Sequence, residues 1–353
     1  SRCVFITSVG LMLHPQELSS AQITQVLGEA YGVRATAVVQ RPCGADAGAT
    51  VYQVGAPDGM RWWLKCRRYA VDAVVWDVLH HLRDHLGLRE IIAPLPTRDG
   101  AAAATWAGLQ WTLFPYVDAF SGFEEALSRG HWERLGHVLR KVHDARLPEA
   151  LSGRLRRPGF DDDTAVERVG AWLQRADARI PVRDALGEEY LALWCRHRQR
   201  IEAIWQRCGA LRARIGDGRP RRVLCHADLH AGNVLVGPDE GIHLIDWDEM
   251  VLAPRERDLM FIGAGIGGRW GREQPPGFAE GYGPVEADPL WVAYYRHWRI
   301  LQDLQEFHDL LLEPGATARP PAQRRQALRY MAEQFAPGNV ADCATRAWQV
   351  AQG

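Results

Sequence analysis

From residue 19 to residue 115 the apolar positions change period several times. After Ser19 or Ser20, residues Ile23, Val26, Leu27 and Tyr31 recur at helical spacing, and Gly32 is a suitable stop. Short β-branched and aromatic runs follow at Ala37-Val38-Val39, Thr50-Val51-Tyr52-Gln53-Val54 and Met60-Arg61-Trp62-Trp63-Leu64-Lys65-Cys66. A Gly/Ala-rich loop at Pro42 to Ala49 and a turn at Ala56-Pro57-Asp58-Gly59 separate them, which predicts antiparallel strands. Val71 to Leu86 has mixed helical periodicity. Two more strands are predicted at Ile91 to Pro94 and Leu109 to Pro115, with a turn at Asp99-Gly100 between them.

After Pro115 the texture becomes helical. Phe123 to Arg146 is long and amphipathic, with Leu127, Trp132, Leu135, Leu139 and His143 on one face. A Pro/Gly/charge-rich connection runs from Ser152 to Asp163, and helices are predicted over 164–177 and 184–214. Short apolar strand runs interrupt them between 223 and 246, and helices resume near Leu290 to Leu312 and Pro321 to Phe335. The expected fold is α+β and bilobal: a β-rich N-lobe over 1–114, a hinge at 115–118 and a mostly helical C-lobe over 119–353.

Composition narrows the class without naming an activity. The 353 residues allow one large or two modest domains, and a formal net charge of −1 gives no reason to expect nucleic acid or a membrane as partner. Seven dispersed cysteines with no C-x-x-C pair read as reduced thiols in a cytoplasmic protein. The apolar run Cys3 to Leu13 spans eleven residues, where a membrane helix needs about twenty. Arg2 is its only basic leader, so a signal peptide is a weak reading beside an extended segment packed on the body.

The chemistry concentrates between Val223 and Asp248, in Cys225-His226-Ala227-Asp228-Leu229-His230-Ala231-Gly232-Asn233 and Ile245-Asp246-Trp247-Asp248. Asn233 follows Asp228 by five positions and Asp246 follows it by eighteen. Phosphoryl transfer uses such a set: a carboxylate at the accepting hydroxyl, and an Asn and an Asp that hold Mg²⁺ on nucleotide phosphates. Asp228 is therefore the candidate base, and Asn233 and Asp246 are the candidate metal ligands. A bland alternative makes Asp228 a turn or cap residue and Asn233 a left-handed turn residue. A second alternative reads His226, Asp228 and His230 as zinc ligands, which leaves Asn233 and Asp246 unexplained. His226 and His230 are expected to hydrogen-bond backbone around this loop. Lys65, the one lysine in an apolar strand, suits α/β-phosphates, and an exposed strand lysine is its plain alternative. The loop from Gly44 through Gly48 to Thr50 is a candidate cover for the phosphates, although it is no G-x-G-x-x-G, and the chain has no Walker sequence.

These residues resemble the aminoglycoside phosphotransferases, which have a protein-kinase-like fold. The runs Ile245 to Glu249, Leu252 to Gly263, Glu280-Gly281-Tyr282-Gly283 and Tyr294 to His297, with Gly44-Ala45-Asp46, are similar to the spectinomycin 9-O-phosphotransferase branch. The resemblance implies ATP- or GTP-dependent, Mg²⁺-dependent phosphorylation of an antibiotic hydroxyl by a monomer or dimer. It makes Lys65 a phosphate ligand, Asp228 the base, Asn233 and Asp246 metal ligands, and Phe114 to Val117, with Phe114 and Tyr116, the adenine-reading linker. Asp258 is expected to bond the catalytic loop from below. One departure stands out: the helix after Lys65 contains no Glu, Val74 or Val75 holds the expected place, and Asp77 or Asp72 is the substitute partner.

Acidic side chains suit a cationic acceptor, and Asp248, Glu249, Glu280 and Asp303 are the candidates, with Glu306 and Asp309 behind them. Trp270, Trp291 and Trp298 are candidate stacking walls, with core packing as the plainer role. Shared catalytic chemistry does not fix the acceptor. The alternatives are another natural product, such as a capuramycin-like nucleoside antibiotic, a small metabolite such as choline or homoserine, or a pseudokinase that binds nucleotide without transferring phosphate.

Overall fold

The computed structural model describes residues 18–41, 48–160, 164–175, 182–216, 218, 220–238, 240–271, 273–284 and 287–353. Gly44, with most of its loop, and the apolar run from Cys3 lie outside the described residues. The chain divides into two compact units. The first runs through His80 and resumes at Ile92–Val117; the second takes His81–Ile91 and Asp118–Gly353.

In the first unit, helix α1 (Ser20–Val26) starts at a capping box in which Ser19 and Gln22 satisfy each other's backbone N–H groups. It continues as a wider turn to Tyr31 and stops at Gly32, whose φ of 69° suits only a residue without Cβ strain. Strands β1 (Ala37–Arg41), β2 (Ala49–Gly55), β3 (Arg61–Arg67), β4 (Ala104–Trp106) and β5 (Leu109–Pro115) form one antiparallel sheet in the order β1-β2-β3-β5-β4. Tyr52, Val54, Leu64, Cys66, Trp111 and Leu113 alternate inward and pack with Ile23, Val26 and Leu27 of the helix. Helix α2 (Ala73–His80) follows β3.

The strand expected at Ile91 to Pro94 does not form. Ile91 makes a single bridge to Leu244, while Pro94 and Pro96 lack the N–H groups a ladder needs. The fourth strand is Ala104–Trp106, paired to β5 across Ala107 (φ 52°) and Gly108 (φ 74°). Two successive left-handed residues make a tight hairpin whose twist suits the strands.

The second unit holds β6 (Phe120–Ser121), α3 (Arg129–His143), α4 (Glu149–Ser152), α5 (Thr164–Gln174) and α6 (Ala185–Ile215). After these come β7 (Val223–Cys225), β8 (Val234–Val236), β9 (Ile242–Leu244) and β10 (Val251–Ala253). The chain ends with α7 (Glu256–Leu259), α8 (Phe278–Tyr282), α9 (Pro289–Leu311), α10 (Pro321–Gln334) and α11 (Val340–Val350). Helix α3 starts six residues later than the apolar period suggests. Phe120 and Ser121 pair with β8, the Gly122 N–H bonds the Ala231 and Val234 carbonyls, and Ser128 caps the helix through His131. Helix α9 is the central post, with Ile300, Leu301 and Leu304 fully buried and Asp288 and Pro289 setting its start. Helix α8 lies so close to α3 that a Cβ on Gly281 would stand 1.8 Å from the Glu133 carbonyl oxygen. The expected α+β division into an antiparallel sheet followed by a mostly helical part is what the structure shows. Among the described residues, no helix is long and apolar enough to cross a membrane.

Candidate active site

Two antiparallel strands, β7 and β10, deliver the candidate catalytic loop at His226. The next residue, Ala227, sits at φ 70°, a conformation that costs an L-residue free energy unless its surroundings enforce it. Asp258, fully buried in α7, supplies the enforcement. Its Oδ2 accepts from the His226 N–H at 2.9 Å and its Oδ1 from the Ala227 N–H at 2.7 Å. His143 Nε2 lies 3.2 Å from the same carboxylate, and His143 Nδ1 meets the Tyr282 hydroxyl at 2.6 Å. The close approach of α8 to α3 thus sets the imidazole that braces Asp258. Burial pushes the Asp258 carboxyl up, but His143, His226 and the Ala227 N–H outweigh it and hold the group below the usual carboxylate range.

His226 points back into the fold. Its Nε2 donates to the Ile245 carbonyl at 2.8 Å and its Nδ1 accepts from the Asp228 N–H at 3.3 Å. Both nitrogens are used, which excludes the zinc reading of His226, Asp228 and His230. The only three-residue His/Cys/Asp/Glu grouping among the described residues is His143, Cys225 and Asp258. Its members are committed elsewhere: burial raises the Cys225 thiol, whose Sγ lies 3.6 and 3.5 Å from the Ala253 and Pro254 carbonyls.

Asp228 and Asn233 come together directly. The Asn233 Nδ2 donates to the Asp228 carbonyl at 2.8 Å and to its Oδ2 at 3.2 Å. These bonds fix the amide and leave Asn233 Oδ1 as its acceptor atom, the kind of oxygen a hard cation takes. The Ile245 N–H donates to the Asn233 carbonyl at 3.1 Å, which brings the next residue, Asp246, beside this loop. Asp246 adopts φ 60° at the end of β9, and its residue is exposed. His230 accepts from the Gly232 N–H through Nδ1 and stands 3.5 Å from Asp228 Oδ2, stacked on Phe123.

Arg299 of α9 had no signal in the sequence pattern. Its Nη1 donates to Asp228 Oδ1 at 2.6 Å and its Nε donates to Asp303 Oδ1 at 2.8 Å. Burial opposes the Asp228 charge, but Arg299 foremost, then His230 and His226, hold its carboxyl well below the usual range. Burial dominates at Asp303, whose carboxyl is raised despite Arg299.

The acidic acceptor candidates do not form one wall. Glu249 pairs with Arg156 at 3.2 Å and Glu280 with Arg129 at 2.9 Å, both in solvent. Asp303 is held by Arg299 and Gln334, and Asp309 by Arg168. Asp248 is half-buried two residues beyond Asp246, and Glu306 is exposed. The three tryptophans pack on the chain itself: Trp270 against Trp132, Trp291 on Phe160, and Trp298 under Arg257.

In the first unit, Lys65 is half-buried on β3 opposite Val51 and Thr112, on the sheet face away from the α1 core. Arg67, missed in the sequence, shares that face, is buried, and donates to Thr112 Oγ1 at 2.9 Å. Asp77 lies on the exposed side of α2, whose other residues from Val74 to Leu79 are buried. The Gly48 carbonyl accepts from the Arg68 N–H at 2.9 Å, and the buried Thr50 Oγ1 lacks a hydrogen-bond partner. Phe114 meets Trp76 edge-on, while Tyr116 stacks with Trp63 at 5.6 Å and has Arg61 over its ring at 3.8 Å.

A sheet of this order ahead of a helical unit, with an Asp-Asn pair on a loop braced from beneath, defines a phosphotransferase: an enzyme that moves a phosphoryl group onto a hydroxyl acceptor. The chain belongs to the phosphotransferase enzyme family (APH), whose model matches residues 39–297. It is similar to spectinomycin phosphotransferase APH(9)-Ia solved with ADP and spectinomycin, at 30% identity and a TM-score of 0.83, over 95% of this chain and 100% of that one. The AMP-bound form of the same enzyme gives 29% identity and a TM-score of 0.79, over 93% of this chain and 98% of that one. Amicoumacin kinase hAmiN shares the fold at 14% identity and a TM-score of 0.59, over 93% of this chain and 97% of that one. No significant match is found among curated proteins. The expected likeness to spectinomycin phosphotransferases is thus what the comparisons find.

Proposed function

We propose that this enzyme is a cytoplasmic antibiotic-resistance kinase that moves the γ-phosphate of ATP or GTP to a hydroxyl of an aminocyclitol such as spectinomycin. The carrying observation is the Asp228–Asn233 pair within a fold that is 30% identical to a spectinomycin phosphotransferase. Asp228 keeps 23% of its side chain exposed, so one carboxylate oxygen can receive a hydrogen bond from the acceptor hydroxyl. The hydroxyl oxygen attacks the γ-phosphorus in line, the bond to the β-phosphate oxygen breaks, and the hydroxyl proton passes to Asp228. With its carboxyl held low, Asp228 acts chiefly by orienting the hydroxyl and takes the proton late, as a loose transition state allows.

Asn233 Oδ1 and Asp246 would hold Mg²⁺, which supplies charge neutralisation on the phosphates. Lys65, Gly48 and Thr50 are the phosphate-binding residues of the first unit, and Gly44, outside the described residues, belongs to the same loop. Phe114 and Tyr116 would read the base. Asp77 is the proposed substitute for the helix Glu.

One observation favours a second acceptor class. Glu249 and Glu280 are paired with Arg156 and Arg129, and Asp303 shares Arg299 with Asp228, so none of the three stands as an isolated charge for a cation. A less cationic natural product, such as a capuramycin-like nucleoside antibiotic, fits that balance.

The deciding experiment is turnover of ATP and GTP with a panel of aminocyclitol and nucleoside antibiotics, with ³¹P detection of the product ester. Phosphorylation of spectinomycin supports the first reading. A nucleoside product with none from aminocyclitols shifts the reading to the second, and no ester from any member refutes both. Replacing Asp228 with Ala should lower kcat by about 10²- to 10⁴-fold while nucleotide still binds.

A further inference from the structure

The candidate catalytic carboxylate has a half-buried cation on one oxygen, and that cation has its own support. Arg299 Nη1 meets Asp228 Oδ1 at 2.6 Å, a distance typical of strong charge-assisted bonds. The contacts of Oδ2 are looser: 3.2 Å from Asn233 Nδ2 and 3.5 Å from His230 Nε2. On its far side Arg299 donates through Nε to Asp303 Oδ1, one helical turn along α9. The other oxygen of Asp303 accepts from Gln334 Nε2, on α10. A line of side chains therefore runs from α10 through Gln334, Asp303 and Arg299 to Asp228. Two carboxylates share one guanidinium, and the amide at the end fixes which way the shared group faces.

We propose that Arg299, anchored by Asp303 and Gln334, is the positioning residue of Asp228: it caps Oδ1 so that Oδ2 alone meets the acceptor hydroxyl. The proposal rests on the phosphotransfer reading of Asp228. Its physical content is orientation. A carboxylate on a short side chain rotates freely about its last bond, and a rotation of about 1 Å at the oxygen is enough to cost some 10²-fold in rate. Arg299 removes that freedom because its planar fork bonds both acids at once, which a lysine ammonium on a flexible stem does not reproduce. Charge alone is thereby separable from geometry. Substituting Lys keeps a cation near the two acids and protects folding, while it discards the fork.

The test uses R299K and Q334A in the full chain, compared with wild type by circular dichroism, thermal unfolding, steady-state kinetics and crystal structures. R299K is expected to fold and to lose about 10²-fold in kcat, with both KM values within threefold. Q334A, which does not touch Asp228, should show a smaller fall in kcat with the same unchanged KM values. In the R299K crystal the Asp228 carboxylate should be rotated or spread over two orientations. A folded R299K with kcat within threefold of wild type overturns the proposal. So does a rise in acceptor KM at unchanged kcat, which makes Arg299 a substrate ligand. If wild type itself makes no phosphate ester, the phosphotransfer reading fails. The carboxylate orientation in the two crystals then decides the positioning claim by itself, and an unmoved Asp228 overturns it.

Discussion

Replacing Asp258 with Asn probes how much the catalytic loop depends on one buried charge. Asp258 accepts from two backbone N–H groups, at 2.9 and 2.7 Å, and faces His143 at 3.2 Å. An Asn there has one acceptor oxygen, so one of the two N–H groups would face an amide N–H₂. A buried hydrogen bond to a charged group contributes about 1.5–3 kcal/mol, and a stranded buried donor costs about 1–3 kcal/mol. Together they give a loss of about 2.5–6 kcal/mol, a large part of a domain's roughly 5–15 kcal/mol. The melting temperature should fall by about 5–10 °C. Ala227 would also lose the clamp that holds its left-handed backbone, and a displacement of about 1 Å in the adjoining Asp228 should lower kcat by about 10²-fold.

The pH dependence adds a signed check. The folded carboxyl of Asp258 lies below its unfolded value, so its stabilisation is complete above the unfolded value near pH 4 and is lost as pH falls through the folded one. The part of the stability gap between wild type and D258N that comes from the Asp258 charge should be lost as pH falls below about 4. Thermal unfolding across that range, with steady-state kinetics at neutral pH, measures both effects. A D258N melting point within about 2 °C of wild type and kcat within threefold would refute this account of the loop.

Three other substitutions test neighbouring links. Ala227→Gly removes Cβ strain at φ 70° but frees the unfolded chain and deletes a buried methyl, so urea unfolding should show a net change within about 1 kcal/mol of zero. A loss above about 1 kcal/mol would show that the strain is absent. Asn233→Ala should raise the Mg²⁺ concentration for half-maximal rate by about 10- to 100-fold, and an unchanged Mg²⁺ titration removes Asn233 from the metal site. Asp77→Ala should raise nucleotide KM if Asp77 partners Lys65, with acceptor KM as the control; no change in either takes Asp77 out of nucleotide binding.

The sequence by itself determined what is local. Asp228 and Asn233 sit on one short loop and Asp246 lies two residues past β9, so fixed offsets were enough to make them candidates. The Ser19 cap, the Gly32 stop and the strand runs of β2 and β3 were legible for the same reason: each is set by neighbours a few positions away. Helix α3 was misread because long-range pairing decides its approach, with β8 claiming Phe120 and Ser121, and β4 was missed because its tight turn places Ala107, an unusual residue for it, in a left-handed conformation. Arg299 is 71 residues from the aspartate it bonds, so no local pattern marks it. Glu249, Glu280 and Asp303, which looked open to a cationic acceptor, meet arginines of the chain that only folding brought beside them. Asp258 shows both sides: its position was readable, whereas the two backbone bonds and the His143–Tyr282 brace exist because α7, α3 and α8 converge on one buried carboxylate.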